Sequence, residues 1–233
     1  MITPRAAHER GHANHGWLDS YHSFSFANYY DPAHMGFSVL RVINDDKIAP
    51  AQGFGTHGHR DMEIITYVLS GELAHKDSMG NGSTIKAGDV QRMSAGRGVT
   101  HSEFNASARE PVHLLQIWLM PDKNGITPGY AEKNFSVAER SGKWCLLVSN
   151  DGRDGSLTMQ QNASLYAALL DGNQALSQPI GFNRKAYLHV ARGECSVNGH
   201  LLKAGDALKF TQESNIEVAH ANQAELLLFD LPN

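Results

Sequence analysis

Cysteine is nearly missing from this chain of 233 residues: Cys145 and Cys195 stand alone, outside any C-x-x-C arrangement. That excludes a disulfide framework and a thiolate zinc site, and both residues read as small core side chains. An excess of positive charge is also missing, with Lys+Arg 20 against Asp+Glu 24 and a net charge of -4. Nucleic acid and anionic membrane surfaces therefore lack an electrostatic footprint to bind. No apolar run approaches the ~18 residues of a membrane span. The first residues, Met1 to Gly11, carry Arg5, Glu9 and Arg10 where a signal peptide needs apolar side chains, so a cytoplasmic protein is expected. With 41% hydrophobic residues and a mean hydropathy of -0.36, wholesale disorder is excluded. The length allows one large domain or two small ones, at ~150 residues per domain.

What is present is a succession of short stretches with strand character: Phe37–Val42, Ile64–Leu69, His113–Met120, Trp144–Val148, Tyr187–Val190 and Glu225–Phe229. Turn residues separate them, most clearly Asn198-Gly199, a strong hairpin signal. Ala163–Leu170 has good helix propensity, but its neighbours look extended and it is read as a strand. Ile85-Lys86-Ala87-Gly88-Asp89-Val90 returns as Leu202-Lys203-Ala204-Gly205-Asp206-Ala207, and Thr66–Glu72 corresponds to Leu188–Glu194. This internal repeat points to an all-β fold of two related units. Pro121–Gly142, rich in Gly, Pro, Lys and Asn, reads as a surface connection that places the boundary near residue 135. The expected domains are thus 1–135 and 136–233.

Histidine is abundant and uneven, since ten of the 13 fall in the first half. His57-Gly58-His59 places two imidazoles at i and i+2, on one face of a strand. His101-Ser102-Glu103 repeats the spacing, so a neighbouring strand can add a nitrogen and an oxygen. Three nitrogens and a carboxylate hold a divalent transition metal and leave coordination positions open for chemistry. The bland alternative is that each pair is a coincidence of a histidine-rich sequence. Glu63 competes with Glu103 for the carboxylate position, and spacing does not choose between them. A zinc-protease pattern, His8-Glu9-Arg10-Gly11-His12, is declined because Gly11, Gly16 and Pro4 surround a motif that needs a regular helix. His15, His22 and His34 read as turn or packing residues. The aromatic stretch Trp17–Tyr30 reads as core, with part of it able to line a pocket for a flat substrate.

Around these pairs the chain resembles the cupin superfamily and, within it, pirin-like proteins. The matching segments are Gly11–Phe26, Gly53-Phe54-Gly55-Thr56-His57 and Met93–Gly98. The first cupin motif reads His57-Gly58-His59 to Glu63 and ends at Gly71. The second reads Gly88, Ser94-Ala95-Gly96, His101 and Asn105. Ala51 and Ser94 replace the general glycine and proline, and His101 lies two residues late; pirins share these departures. The resemblance implies a bicupin of two antiparallel β-barrel or jelly-roll domains. It also implies metal ligation by His57, His59, His101 and Glu103, leaving Glu63 to orient a ligand histidine. In the second domain Pro179, Gly181 and Lys185 stand where His57, His59 and Glu63 stand in the first, so that domain is expected to be metal-free. Metal-binding bacterial pirins resemble quercetin 2,3-dioxygenases, which implies flavonol ring opening with O2 and release of CO, with Glu103 accepting a proton. The implied cofactor is one divalent ion, Fe(II) first, with Cu, Ni, Co, Mn or Zn as alternatives. Two other readings are a metal-dependent regulator acting through a protein partner and a sugar-type isomerase, for which Arg60 and Arg97 would have to hold phosphate.

Overall fold

The computed structural model describes residues 1–233. Strands dominate it, and no helix is long and apolar enough to cross a membrane. The chain forms two compact units. One comprises Gly11–Asn134 with Met159–Gln161; the other comprises Met1–Arg10, Phe135–Thr158 and Asn162–Asn233. No single cut of the chain therefore yields the two units. Ile2–Arg5 pairs antiparallel with Ala207–Thr211, and Ala7 N–H donates to Asp206 Oδ1 at 2.7 Å, so the first ten residues belong with the second half.

The histidine-bearing unit is a jelly-roll sandwich of a seven-stranded and a four-stranded antiparallel sheet. Leu18, Ile48, Val68, Val112 and Leu114 of the larger sheet meet Leu73 and Ile85 of the smaller in one buried cluster. Their alternation along each strand puts every second side chain inside, and each such burial is worth ~1.5–3 kcal/mol. The second unit is one nine-stranded sheet that bends around its own core. Its long strands, Arg184–Val197 and Asn215–Pro232, carry successive register shifts between Val190 and Ser196. Such bulges bend a strand and let one sheet enclose apolar residues. Both units are cupin-type domains.

The internal repeat corresponds to one hairpin built twice. Lys86 N–H donates to Asp89 Oδ2 at 2.8 Å, and Lys203 N–H donates to Asp206 Oδ2 at 2.9 Å. Gly88 and Gly205 supply the left-handed φ of the turn, 92° and 89°. At Asn198-Gly199 both residues have positive φ, as a two-residue hairpin turn between Val197 and His200 requires. Ser164–Gly172 is a strand, paired with Asn215–Pro232, so pairing overrides the helix propensity of its alanines and leucines.

Two expectations need correction. The strand expected over Phe37–Val42 begins only at Leu40 and runs to Ile48, because Phe37–Leu40 closes a turn. The segment Pro121–Gly142 is more than a connection: Gly129–Asn134 pairs with Asp89–Ser94, and Val137–Arg140 forms a helical turn capped by Ser136. An edge strand with one wet face carries polar residues and so reads as loop.

Candidate metal centre

Gly53–His59 and Val99–Asn105 run antiparallel in the four-stranded sheet, with His101 opposite His57. Between this pair and Glu103–Phe54 the register slips by one residue, a bulge on the glycine-rich strand. Gly53 permits the close approach, since a Cβ there would lie 2.2 Å from the Glu103 carbonyl oxygen. The pairing brings three imidazoles together. His101 Nε2 lies 2.9 Å from His59 Nε2 and 3.0 Å from His57 Nε2.

The proton positions follow from chemistry. His57 Nδ1 sits 2.8 Å from the Gly55 carbonyl, which only accepts, so Nδ1 carries the proton and Nε2 presents its lone pair to the centre. Burial, then the nearby His57, pushes His59 down to about 4. Burial and the surrounding imidazoles push His101 down to about 3. The His59 and His101 rings are therefore neutral at neutral pH, each with one bare nitrogen to offer, and a borderline divalent cation is the group that three converging imidazoles fit.

Glu103 is buried on the same strand face as His101, and its oxygen groups with His101 and His75 rather than with the three-imidazole cluster. Gln116 Nε2–H donates to its Oε2 at 3.0 Å, and Thr66 Oγ1 lies 3.4 Å from Oε1. Burial pushes its carboxyl up to about 7, opposed by the Gln116 and Thr66 donors and reinforced by Asp46. Asp46 itself is raised to about 7, by burial first, despite the proton donated by Ser20 Oγ.

His57, His59, Glu103, Gln116 and Asp46 face one cavity of about 480 Å³. Phe26, Tyr29, Phe54 and Trp118 give it aromatic walls, and Ser20, His22, Asn44 and Asp46 give it a polar side. Trp118 meets His59 edge to face at 5.0 Å. The Trp17–Tyr30 stretch divides accordingly: Phe24 is core, Phe26 and Tyr29 are wall, and Tyr30 is exposed. His15 and His22 also line the cavity, whereas His34 bonds Asp31 in a turn.

Other candidates lie elsewhere. Glu63 is buried and accepts from Ser94 Oγ at 2.8 Å and from the Gln160 backbone, with no hydrogen bond to His57, His59 or His101. Arg60 and Arg97 are exposed, and no lysine or arginine lines the cavity to neutralise a phosphate. The declined protease pattern has no helix, since Ala7–Glu9 is a short 3-10 turn and Gly11–Asn14 a strand. Asp46, Gln116, Trp118, His75 and Asp77 were not singled out from the sequence. Their signal was there: Asn44 and Asp46 share the inward alternation of Leu40, Val42 and Ile48, and His75 and Asp77 that of Leu73.

Comparison with known proteins places the whole chain in a family. The Pirin family model matches residues 4–119, and a model described as the quercetinase C-terminal cupin domain matches residues 146–231. The chain is 53% identical over 233 residues to a quercetin 2,3-dioxygenase of Escherichia coli K12, covering 100% of this chain and 99% of that one. It is similar to the crystal structure of YhhW from Escherichia coli, with TM-score 0.96 and 50% identity over 100% of this chain and 98% of that one. It is equally similar to the nickel(II) complex of that bacterial pirin, with TM-score 0.95 and 50% identity over 100% and 99% of the two chains. The chain belongs to the pirin family.

Proposed function

We propose that the protein is a metal-dependent dioxygenase of the quercetin 2,3-dioxygenase type, opening the central ring of a flavonol with O2 and releasing CO and a depside. One observation carries the reading: the three imidazoles of His57, His59 and His101 converge on one point beside an aromatic cavity that His57, His59 and the buried Glu103 line. The similarity to a protein named quercetin 2,3-dioxygenase supports the substrate class.

His57, His59, His101 and Glu103 would hold one divalent ion, with Fe(II) the first choice and nickel, copper, cobalt, manganese or zinc the alternatives. When bound, the ion supplies Lewis acidity toward a substrate hydroxyl and open positions for chemistry. The remaining work falls to the chain. Phe26, Phe54 and Trp118 make a flat apolar slot suited to a fused aromatic ring system. Glu103, with a carboxyl that titrates near neutrality, accepts the proton of the flavonol 3-hydroxyl, because a base is most effective when its pKa lies near the working pH. The aromatic walls exclude water from the resulting anion.

The test is oxygen uptake with quercetin, together with headspace CO, for the metal-loaded protein and its His57→Ala variant. Expected is O2 consumption matched by CO in the wild type, and loss of both metal retention and turnover in the variant. Quercetin loss without CO, or unchanged metal content and rate in the variant, would contradict the reading.

A further inference from the structure

His75 and Asp77 lie on the Glu72–Asp77 strand, beside the strand that carries His101 and Glu103. Neither faces the substrate cavity, and both are buried. His101 presents Nε2 to the three-imidazole centre and Nδ1 to the opposite side, where His75 Nδ1 lies at 3.5 Å. His75 Nε2 in turn lies 3.3 Å from Asp77 Oδ2. The three side chains make a row that leads away from the metal centre.

The proton on each nitrogen in this row is determined from its far end. Asp77 Oδ1 accepts from Met79 N–H at 2.9 Å and Asn81 N–H at 3.0 Å, and Oδ2 accepts from Asn81 Nδ2 at 2.8 Å. A carboxyl surrounded by donors is an acceptor, so His75 must offer it an N–H from Nε2. With that proton on Nε2, Nδ1 of His75 faces His101 Nδ1 and is the acceptor that a metal-ligating His101, protonated on Nδ1, requires. In that state Nε2 of His101 is free. Tyr130 stacks on His75 with ring centroids 4.9 Å apart and 22° between planes, which holds the ring in the orientation this row needs.

The geometry points to Asp77 and His75 as positioning residues that fix His101 in its metal-binding tautomer and raise its basicity, through the row Asp77–His75–His101. This rests on the proposed metal site. Partners of this kind orient ligand histidines, and their loss typically lowers metal affinity by about 10- to 100-fold.

Substitution separates this role from simple packing. Asp77→Asn keeps an acceptor at Oδ1 for the turn but puts a donor amide where Oδ2 stood. His75 then has to accept at Nε2 and carry its proton on Nδ1, which drives the His101 proton onto Nε2, the atom the metal needs. His75→Leu removes the acceptor for His101, whereas His75→Asn keeps a polar oxygen near the place of Nδ1. The experiment is calorimetric titration of the metal-stripped full chain and each variant with nickel(II), with melting of the stripped proteins recorded alongside.

Expected is a loss of nickel affinity of about 10- to 100-fold in Asp77→Asn and His75→Leu, with a much smaller loss in His75→Asn. Equal affinity in the wild type, Asp77→Asn and His75→Leu would overturn the inference while leaving the metal site intact. So would losses that follow only the fall in melting temperature, with His75→Asn no better than His75→Leu. Failure of the wild type itself to bind nickel would overturn the metal site, and this inference with it.

Discussion

Asp46 offers a perturbation whose size follows from the structure. Its carboxyl is almost fully buried, is held by Ser20 and is raised from 3.8 to about 7. Between those two values the folded protein keeps a proton that the unfolded chain releases, so stability falls as pH rises through this range and levels off above about 7. A shift of about 3 units corresponds to ~4 kcal/mol at 1.36 kcal/mol per unit, of which ~3 kcal/mol is lost between about pH 5 and pH 8. Glu103, raised from 4.5 to about 7 mainly by burial, adds a contribution of the same sign. Asp46→Asn keeps the acceptor for Ser20 and removes one of the two titrations. The assay is urea denaturation of metal-stripped protein across this pH range. The wild type is expected to lose ~5 kcal/mol and the variant about half of that, a difference of roughly 1–2 M in urea midpoint. Parallel curves for the two proteins would refute the assignment of a neutral, buried Asp46.

Two further substitutions address the site. Glu103→Gln removes the proton acceptor while nearly preserving shape, so kcat for quercetin should fall by about 100-fold or more with nickel still bound; a rate within about threefold of wild type, in a steady-state oxygen assay, would remove Glu103 from proton transfer. Gly53→Ala puts a methyl group 2.2 Å from the Glu103 carbonyl and 2.5 Å from Phe104 Cα, forcing apart the strands that bring His57 to His101. Expected are a stability loss of ~1–3 kcal/mol by denaturation and weaker nickel binding by titration; native values for both would contradict the close approach.

The parts of the fold legible in the sequence are those written in local chemistry. The Lys-Ala-Gly-Asp repeat announces two hairpins because each turn needs its own Asp acceptor and a left-handed glycine. The His-x-His and His-x-Glu spacings mark strand faces for the same reason: i and i+2 project together. Illegible was whatever depends on partners far along the chain. Ile2–Arg5 finds its strand about 200 residues away, and nothing in those four residues says so. Glu63 sits in a motif position yet faces Ser94, which only the register of Glu63–Ser70 against Asp89–Ser94 decides. Asp46 and Asp77 stood at inward positions of apolar strands, and a polar residue there is a signal that calls for a function.

X-ray absorption at the nickel edge, on protein loaded with one equivalent of nickel(II), addresses the central claim most directly. Expected is a single ion per chain with backscattering from three imidazole rings and light-atom oxygen neighbours, a signature that is lost in His57→Ala, which does not retain the ion. A spectrum with one imidazole or none, or one unchanged by that substitution, would contradict a centre built from His57, His59 and His101.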